Sequence, residues 1–402
     1  MNLAGSVGLD PATARRVLLL AFASTSSMVM GVSSVMPMVP RLETVFGVSH
    51  TEASLVLTLF TLPGILLAPL AGLLADRYGR RVVLAPSLLL FSLAGGGCAF
   101  VDDFRLLLLL RCLQGMGAAP LALLNTTILA DVWSGPALAR VVGYNMAVLS
   151  VGTALYPTVG GLLANLSWRA PFFLPLLVLP VFVLALRLPL ASPARAASFR
   201  EYLLGLSRAF HNRRILVLFS ITLLTFVMLY GPIITCIPAL GDQRFGADPA
   251  SIGIIMLFSA LGQGLISARL GRLTQSHGPR RLLMRGQFFY LAAFLVIPLL
   301  LPGGPVILGL PLTFWLLALP VFVFGLGQGL NVPNVQAQLL QAAEPEQRAS
   351  IMAVNAVLLR LGQTAGPLLF SLVMLWQGPD AGFYFAILPA AAIFLLAWRG
   401  LR

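Results

Sequence analysis

Lysine is missing altogether from this 402-residue chain, and charge of either sign is scarce. Its 26 basic residues are all arginine, its acidic residues number 13, and together they make 10% of the sequence. Soluble domains carry about 25% charged residues, so the shortage excludes an ordinary globular protein. No acidic residue stands in the interior of a long apolar run. The three cysteines, Cys98, Cys112 and Cys236, all lie inside such runs. An odd count in that setting excludes a disulfide framework and reads as small packing residues. The three histidines, His50, His211 and His277, fall in loops far apart. No metal cluster or acid–base pair is visible, so neither an enzyme nor a bound cofactor is expected.

Hydrocarbon takes the place of charge: 58% of residues are hydrophobic, with mean hydropathy +0.94. A helix needs about 20 mostly apolar residues to cross a bilayer. Twelve runs qualify, at 17–39, 52–74, 82–101, 105–129, 140–164, 170–188, 214–238, 250–270, 281–301, 307–331, 349–375 and 381–398. Each backbone polar group must be satisfied within its own segment in lipid, which selects helices. The expected class is therefore an all-α polytopic membrane protein. Arg15 and Arg16 precede a first run too long for a signal-peptide core and without a small-residue cleavage site, so that span is expected to stay attached.

The arginines set the orientation. With the N-terminus inside, twenty fall on the cytoplasmic side, four outside (Arg41, Arg105, Arg169 and Arg244) and two within spans (Arg111 and Arg360). Acids divide six inside and seven outside, without bias. The excess basic charge is thus a topology signal, and no nucleic-acid partner is needed. A bacterial inner membrane, both termini cytoplasmic, a monomer and the lipid bilayer as surroundings are expected.

Residues 189–213 form the longest connection and divide the chain into 1–188 and 214–402. There Phe199, Tyr202, Leu203, Leu206 and Phe210 fall at helical spacing, which fits either an amphipathic surface helix or a plain tether. The two parts repeat. GLLADRYGRRVVL (72–84) lies over GRLTQSHGPRRLL (271–283) at an offset of 199. At an offset of 210, Gly115, Gly117, Asn145, Gly152 and Pro157 meet Gly325, Gly327, Asn355, Gly362 and Pro367. Two pseudo-symmetric six-helix bundles are expected, an arrangement that points to a transporter with its site between the halves.

Four motifs carry a family resemblance. Gly72, Asp76, Arg77, Gly79, Arg80 and Arg81 stand in the turn after span two. Arg111, Gln114, Gly115 and Gly117 open span four. Gly31 precedes Pro37 and Pro40 at the end of span one. Gly152, Pro157, Gly160 and Gly161 mark span five, with Gly362, Gly366 and Pro367 as a shorter form in span eleven. Over its full length the chain resembles the major facilitator superfamily, and most of all its twelve-helix drug:proton antiporter branch. The resemblance implies alternating access, a small-molecule substrate and protons as the coupling ion. It departs at Tyr156, where the branch carries glycine, and a tyrosine there is expected to loosen or re-aim the span-five contact. An importer of the same fold, or a transport-inactive sensor, is the alternative.

An arginine inside a bilayer costs at least about 2.5–3.5 kcal/mol. Arg111 and Arg360 are therefore read as cavity residues that meet a polar or anionic substrate group or take part in coupling. Mid-span amides add Gln114, Asn125, Asn145, Gln263, Gln328, Asn331, Asn355 and Gln363 as candidates, with Gln287 among the helix-packing possibilities. Tyr144, Tyr156 and Tyr230 are candidate aromatic wall residues, and Tyr230 joins the substrate-site set. With no acid in a span, the cavity should disfavour lipophilic cations and accept neutral or anionic cargo.

By resemblance, Asp76 sits near the start of span eleven, around Arg348–Ser350, where a carboxylate meets the positive end of a helix dipole. That contact latches the outward-facing state, and Gln275 makes a weaker counterpart in the other half. Asp76→Asn should impair transport while leaving the protein in the membrane, and Gln275→Ala should change little. A transport assay paired with membrane quantification would sink the latch if both variants lost activity equally.

Overall fold

The computed structural model describes residues 10–188, 190, 212–342 and 348–401. The expected helix over 199–210 lies outside the described residues. So do the side chains of Asp76, Arg348, Ala349 and Ser350.

The scarce acids are spent on helix ends. Asp10 caps α1 (Pro11–Phe46) by accepting from the backbone N–H groups of Ala12 and Thr13. Ser49 and Glu52 close a capping box at the start of α2 (His50–Thr61, continued by Pro63–Tyr78). α3 spans Arg80–Phe100, and Asp103 caps α4 (Phe104–Val132). α5 (Gly135–Leu166) and α6 (Ala170–Arg187) complete the first six. Asn212 caps α7 (Arg213–Phe245), and Asp248 caps α8 (Pro249–Ser267) with proline in the favoured first position. α9 (Pro279–Leu299), α10 (Leu312–Ala342), α11 (Arg348–Gln377) and α12 (Pro379–Gly400) follow. Among the described residues, twelve helices are long and apolar enough to cross a membrane.

Proline interrupts two of these helices usefully. In α1 a 3-10 turn over Met36–Met38 contains Pro37, and Pro40 follows in the next helical turn. In α7 the segment Leu229–Cys236 widens to π-helical geometry around Pro232, which has no N–H to donate. Within the same segment Thr235 donates its hydroxyl to the Tyr230 carbonyl at 2.8 Å.

Span ten differs from the expectation of 307–331. Val306–Ile307 (β1) and Leu310–Pro311 (β2) form a small antiparallel hairpin, so the helix starts later. It also runs on to Ala342, because its polar end is buried and paired. Asn334 donates to the Pro279 carbonyl at 2.8 Å, and Gln338 donates to Asn334 at 3.2 Å.

Packing repeats between the halves. α1 packs on α4, α5 and α6, as α7 packs on α10, α11 and α12. α4 packs on α2 and α3, as α10 packs on α8 and α9. The repeated turns agree in detail: Gly79 and Gly278, 199 positions apart, both have positive φ, 98° and 77°, a conformation open to glycine at little cost. The bundles meet chiefly along two helix pairs, α2 with α11 and α5 with α8.

Both cross-bundle pairs close at the arginine-poor end. A Cβ at Gly160 would lie 1.9 Å from the Ser34 carbonyl oxygen of α1. At Gly161 it would lie 2.1 Å from the Pro249 carbonyl oxygen of α8, and at Gly253 2.4 Å from that of Pro157. Asn165 donates to Asp248 at 2.7 Å and Thr158 to the Gly253 carbonyl at 3.1 Å. Burial alone would raise the Asp248 pKa, but the bonds from Asn165, Ser251 and Ala250 outweigh it and hold the carboxyl below its ordinary range. Arg169 pairs with Asp102, and Arg244 with Asp380, at the same end. At the arginine-rich end α5 and α8 part company. Around Gly143 and Gly264 nothing lies within 4 Å of a Cβ position, and Tyr144, Met146, Leu261 and Leu265 are exposed.

Gly161→Val should therefore wedge α5 away from α8 at the closed end. In a background with the native cysteines removed, a cysteine at the buried position Ile252 should react several-fold faster with an impermeant maleimide when Gly161 is Val. Unchanged labelling would refute the closed-end contact.

Candidate functional site

Arg111 lies inside the first bundle in this state. It is wholly buried between α4 and α2. Its Nε donates to the Val56 carbonyl at 3.0 Å, its Nη1 donates to Gln114 Oε1 at 2.7 Å, and its guanidinium lies 4.5 Å from the centre of the Phe60 ring. Gly115 lets α4 this close: its Cβ would stand 2.1 Å from the Phe60 carbonyl oxygen. Backbone, amide and ring meet the charge inside one bundle, while Nη2 is buried without a partner among the described residues. Gln114 is fully buried with it, against Gly95 of α3.

Several amides are likewise drawn into helix pairing. Thr25 of α1 donates to Asn145 Oδ1 of α5 at 2.7 Å, and Asn125 of α4 donates to Thr25 at 2.8 Å. In the second half Thr222 of α7 donates to Asn355 Oδ1 of α11, also at 2.7 Å. The aligned asparagines thus close equivalent clasps between the first and fifth helix of each bundle. Asn331 accepts from Gln287 at 3.1 Å. Gln328 is buried without a protein partner, and Gln263 is half-buried on α8.

Arg360, Gln363 and Tyr230 do come together, where the bundles meet. Along α2 and α11 the cross-bundle rungs are Ser371 to Ser54 at 3.0 Å, Thr364 with Thr61 at 2.9 Å, and last Arg360 against Gly64. A Cβ at Gly64 would be only 3.2 Å from Arg360 Cδ and Nε. Beyond this rung Leu66, Leu70 and Leu74 of α2 are exposed. Arg360 Nη1 donates to Gln363 Oε1 at 3.1 Å, and Nη2 lies 3.6 Å from Met28 Sδ of α1. Tyr230 stands beside both Arg360 and Gln363.

Tyr156 reaches α1 from the other side, its hydroxyl 2.5 Å from Ser26 Oγ, two residues before Met28. It does not loosen α5. Gly152 leaves room for its ring, at 3.2 Å from a Cβ there, and close approach is kept one turn on at Gly160 and Gly161. Ser26, Met28, Tyr156 and Arg360 are each half-buried, and form a polar roof above the open end. The hydroxyls on α2 and α11 were missed from sequence, though their antiparallel order along two helices was a signal that could have found them.

The remaining motif residues lie at helix contacts and turns. Gly72 packs on Leu123 of α4, Gly31 on Phe60, and Gly362 and Gly366 on the α7 backbone. Arg80 is buried and its Nε donates to Asp131 at 3.2 Å. Arg77 lies over the Tyr78 ring, and Arg81 is exposed.

Two pseudo-symmetric bundles of membrane-spanning helices, closed at one end over a polar roof, define a transporter fold. The chain belongs to the Major Facilitator Superfamily, whose model matches residues 21–246 and 235–402. It is 26% identical to the bacillibactin exporter of Bacillus subtilis, with 86% of this chain and 87% of the relative covered. It is 25% identical to the class B tetracycline resistance protein of Escherichia coli, over 91% of this chain and 93% of the relative. Among solved structures, the nucleoside transporter NupG covers the whole chain (TM-score 0.74, 16% identity, 98% of that chain). The human organic anion transporter MFSD10 matches with TM-score 0.67 at 22% identity, over 97% of this chain and 100% of that one. These likenesses to solved structures show the fold. The family consists of transporters, not enzymes.

Thr25→Val and Thr222→Val should each cost about 0.6 kcal/mol, the usual worth of a hydrogen bond between membrane helices. Thermal unfolding of the purified variants should show that small loss, and transport per folded molecule should stay within about twofold. Lost transport with unchanged stability would mean that these hydroxyls touch cargo.

Proposed function

We propose that the protein is a secondary active exporter that moves a small neutral or anionic organic molecule by alternating access, driven by protons. One observation supports the reading above all: the bundles are zipped at the arginine-poor end and apart at the arginine-rich end. The charge rule assigns the arginine-rich end, with both chain termini, to the cytoplasm. In that orientation the roof at Arg360 faces a chamber that loads from the cytoplasm of a bacterial inner membrane. Residues 1–188 and 214–402 are the two bodies that rock, joined by 189–213. The export named for the Bacillus subtilis relative favours the outward direction.

Absence of acids from the span interiors favours neutral or anionic cargo. It also confines proton binding to the helix ends. One such place is the arginine-poor end, where His50 Nδ1 and Glu43 Oε1 lie 2.5 Å apart beside a cleft of about 390 Å³ lined by Asp242 and Asp248. Asp76 would act in the opposite state, when the arginine-rich end closes. The protein works as a monomer in this scheme.

Cells lacking the protein should become hypersensitive to a subset of toxic organic compounds, with rescue by the wild type. Everted vesicles should accumulate those compounds only while a proton gradient is held. Failure of the deletion strain to grow on a metabolite, without hypersensitivity, would mean import instead.

A further inference from the structure

Arg80, Arg169 and Arg244 each meet an aspartate, and Arg111 gives two of its N–H groups to a backbone carbonyl and an amide within its own bundle. Arg360 has no carboxylate within ion-pair reach among the described residues. A guanidinium offers five N–H donors. Here one goes to a neutral amide, and one points to a thioether, a weak acceptor. Its side chain is half-buried and packs against Gly64 of α2 in the opposite bundle. A cation at that depth is tolerated where water or an anion can reach it.

Its neighbours suit an oxyanion. Met28 of α1 meets the guanidinium from the opposite bundle. Tyr230 and Gln363 flank the guanidinium on its own bundle. The fork of N–H groups matches a carboxylate's two oxygens in a way an ammonium would not. Gly64 gives the arginine stem its room, since a Cβ there would press on it at 3.2 Å.

We propose that Arg360 is the charge-reading residue of the chamber, and that the cargo is an organic anion whose carboxylate or similar oxyanion docks on its guanidinium beside Gln363 and Tyr230. This rests on the transport reading above.

The test uses the purified full-length chain in liposomes under an imposed proton gradient, with fluorescein, chloramphenicol and ethidium as anionic, neutral and cationic probes. Wild type should move fluorescein faster than ethidium. Arg360→Gln should lower fluorescein transport at least tenfold and leave chloramphenicol within twofold. Arg360→Lys, which keeps the charge and loses the fork, should fall between. Equal losses for fluorescein and chloramphenicol, in a variant whose unfolding temperature is also lowered, would make the role structural and overturn the proposal. Fluorescein transport unchanged in Arg360→Gln, or a wild type that moves only ethidium, would overturn it while leaving export intact. A wild type that moves none of the three would remove the export reading itself.

Discussion

Backbone against backbone at Gly160, Gly161 and Gly253 is the contact on which the rest of the arrangement depends. Lipid offers no hydrophobic drive to press helices together, so their approach is governed by packing and by small residues. Any side chain at these three positions would collide with a carbonyl oxygen that cannot rotate away. With α5 held to α1 and α8 at one end, α2 and α11 can zip from Ser54–Ser371 inward. The zipper stops at Arg360, whose stem fills the space left by Gly64. Closure at one end and exposure at the other are thus two consequences of the same contact.

Much of this was legible because a bilayer leaves a chain few options. A span must be long, apolar and self-satisfied, and so twelve runs could be counted from hydropathy. The halves could be aligned because glycine marks places where backbone conformation or close approach excludes other residues. Gly79 and Gly278 prove equivalent in φ as well as in position. The end of α10 was not legible, because hydropathy scores Asn334 and Gln338 as polar without knowing their partners. A carbonyl on α9 and a neighbour one turn away make both acceptable in a helix.

The two arginines show the same limit more sharply. By depth alone Arg111 and Arg360 looked alike, and each has a glutamine three residues on. What separates them is the surface of α2 that each one meets. Arg111 finds the Val56 carbonyl and the Phe60 ring within its own bundle, whereas Arg360 finds a glycine in the opposite bundle. One neighbour supplies an acceptor and a π-face, and the other supplies only room. Nothing in a linear sequence reports which of these a buried cation will face.

Symmetry offers a further criterion. Interactions that hold each bundle together come in equivalent pairs, as in the clasps of Thr25 with Asn145 and Thr222 with Asn355. A duplicated scaffold should keep such pairs, because both copies face the same packing problem. The arginines break the pattern: at the offset of 210, Arg111 lies over Val321 and Arg360 over Ser150. An unpaired cation cannot be a requirement of the repeated fold, since the other copy folds without it. For Arg111 the asymmetry is absorbed by local packing on Phe60 and Gln114. Arg360 instead meets Gln363 on its own helix and Met28 and Gly64 across the bundle boundary. A pseudo-symmetric carrier handling an asymmetric molecule needs its chemistry where the halves differ, and Arg360 is such a place.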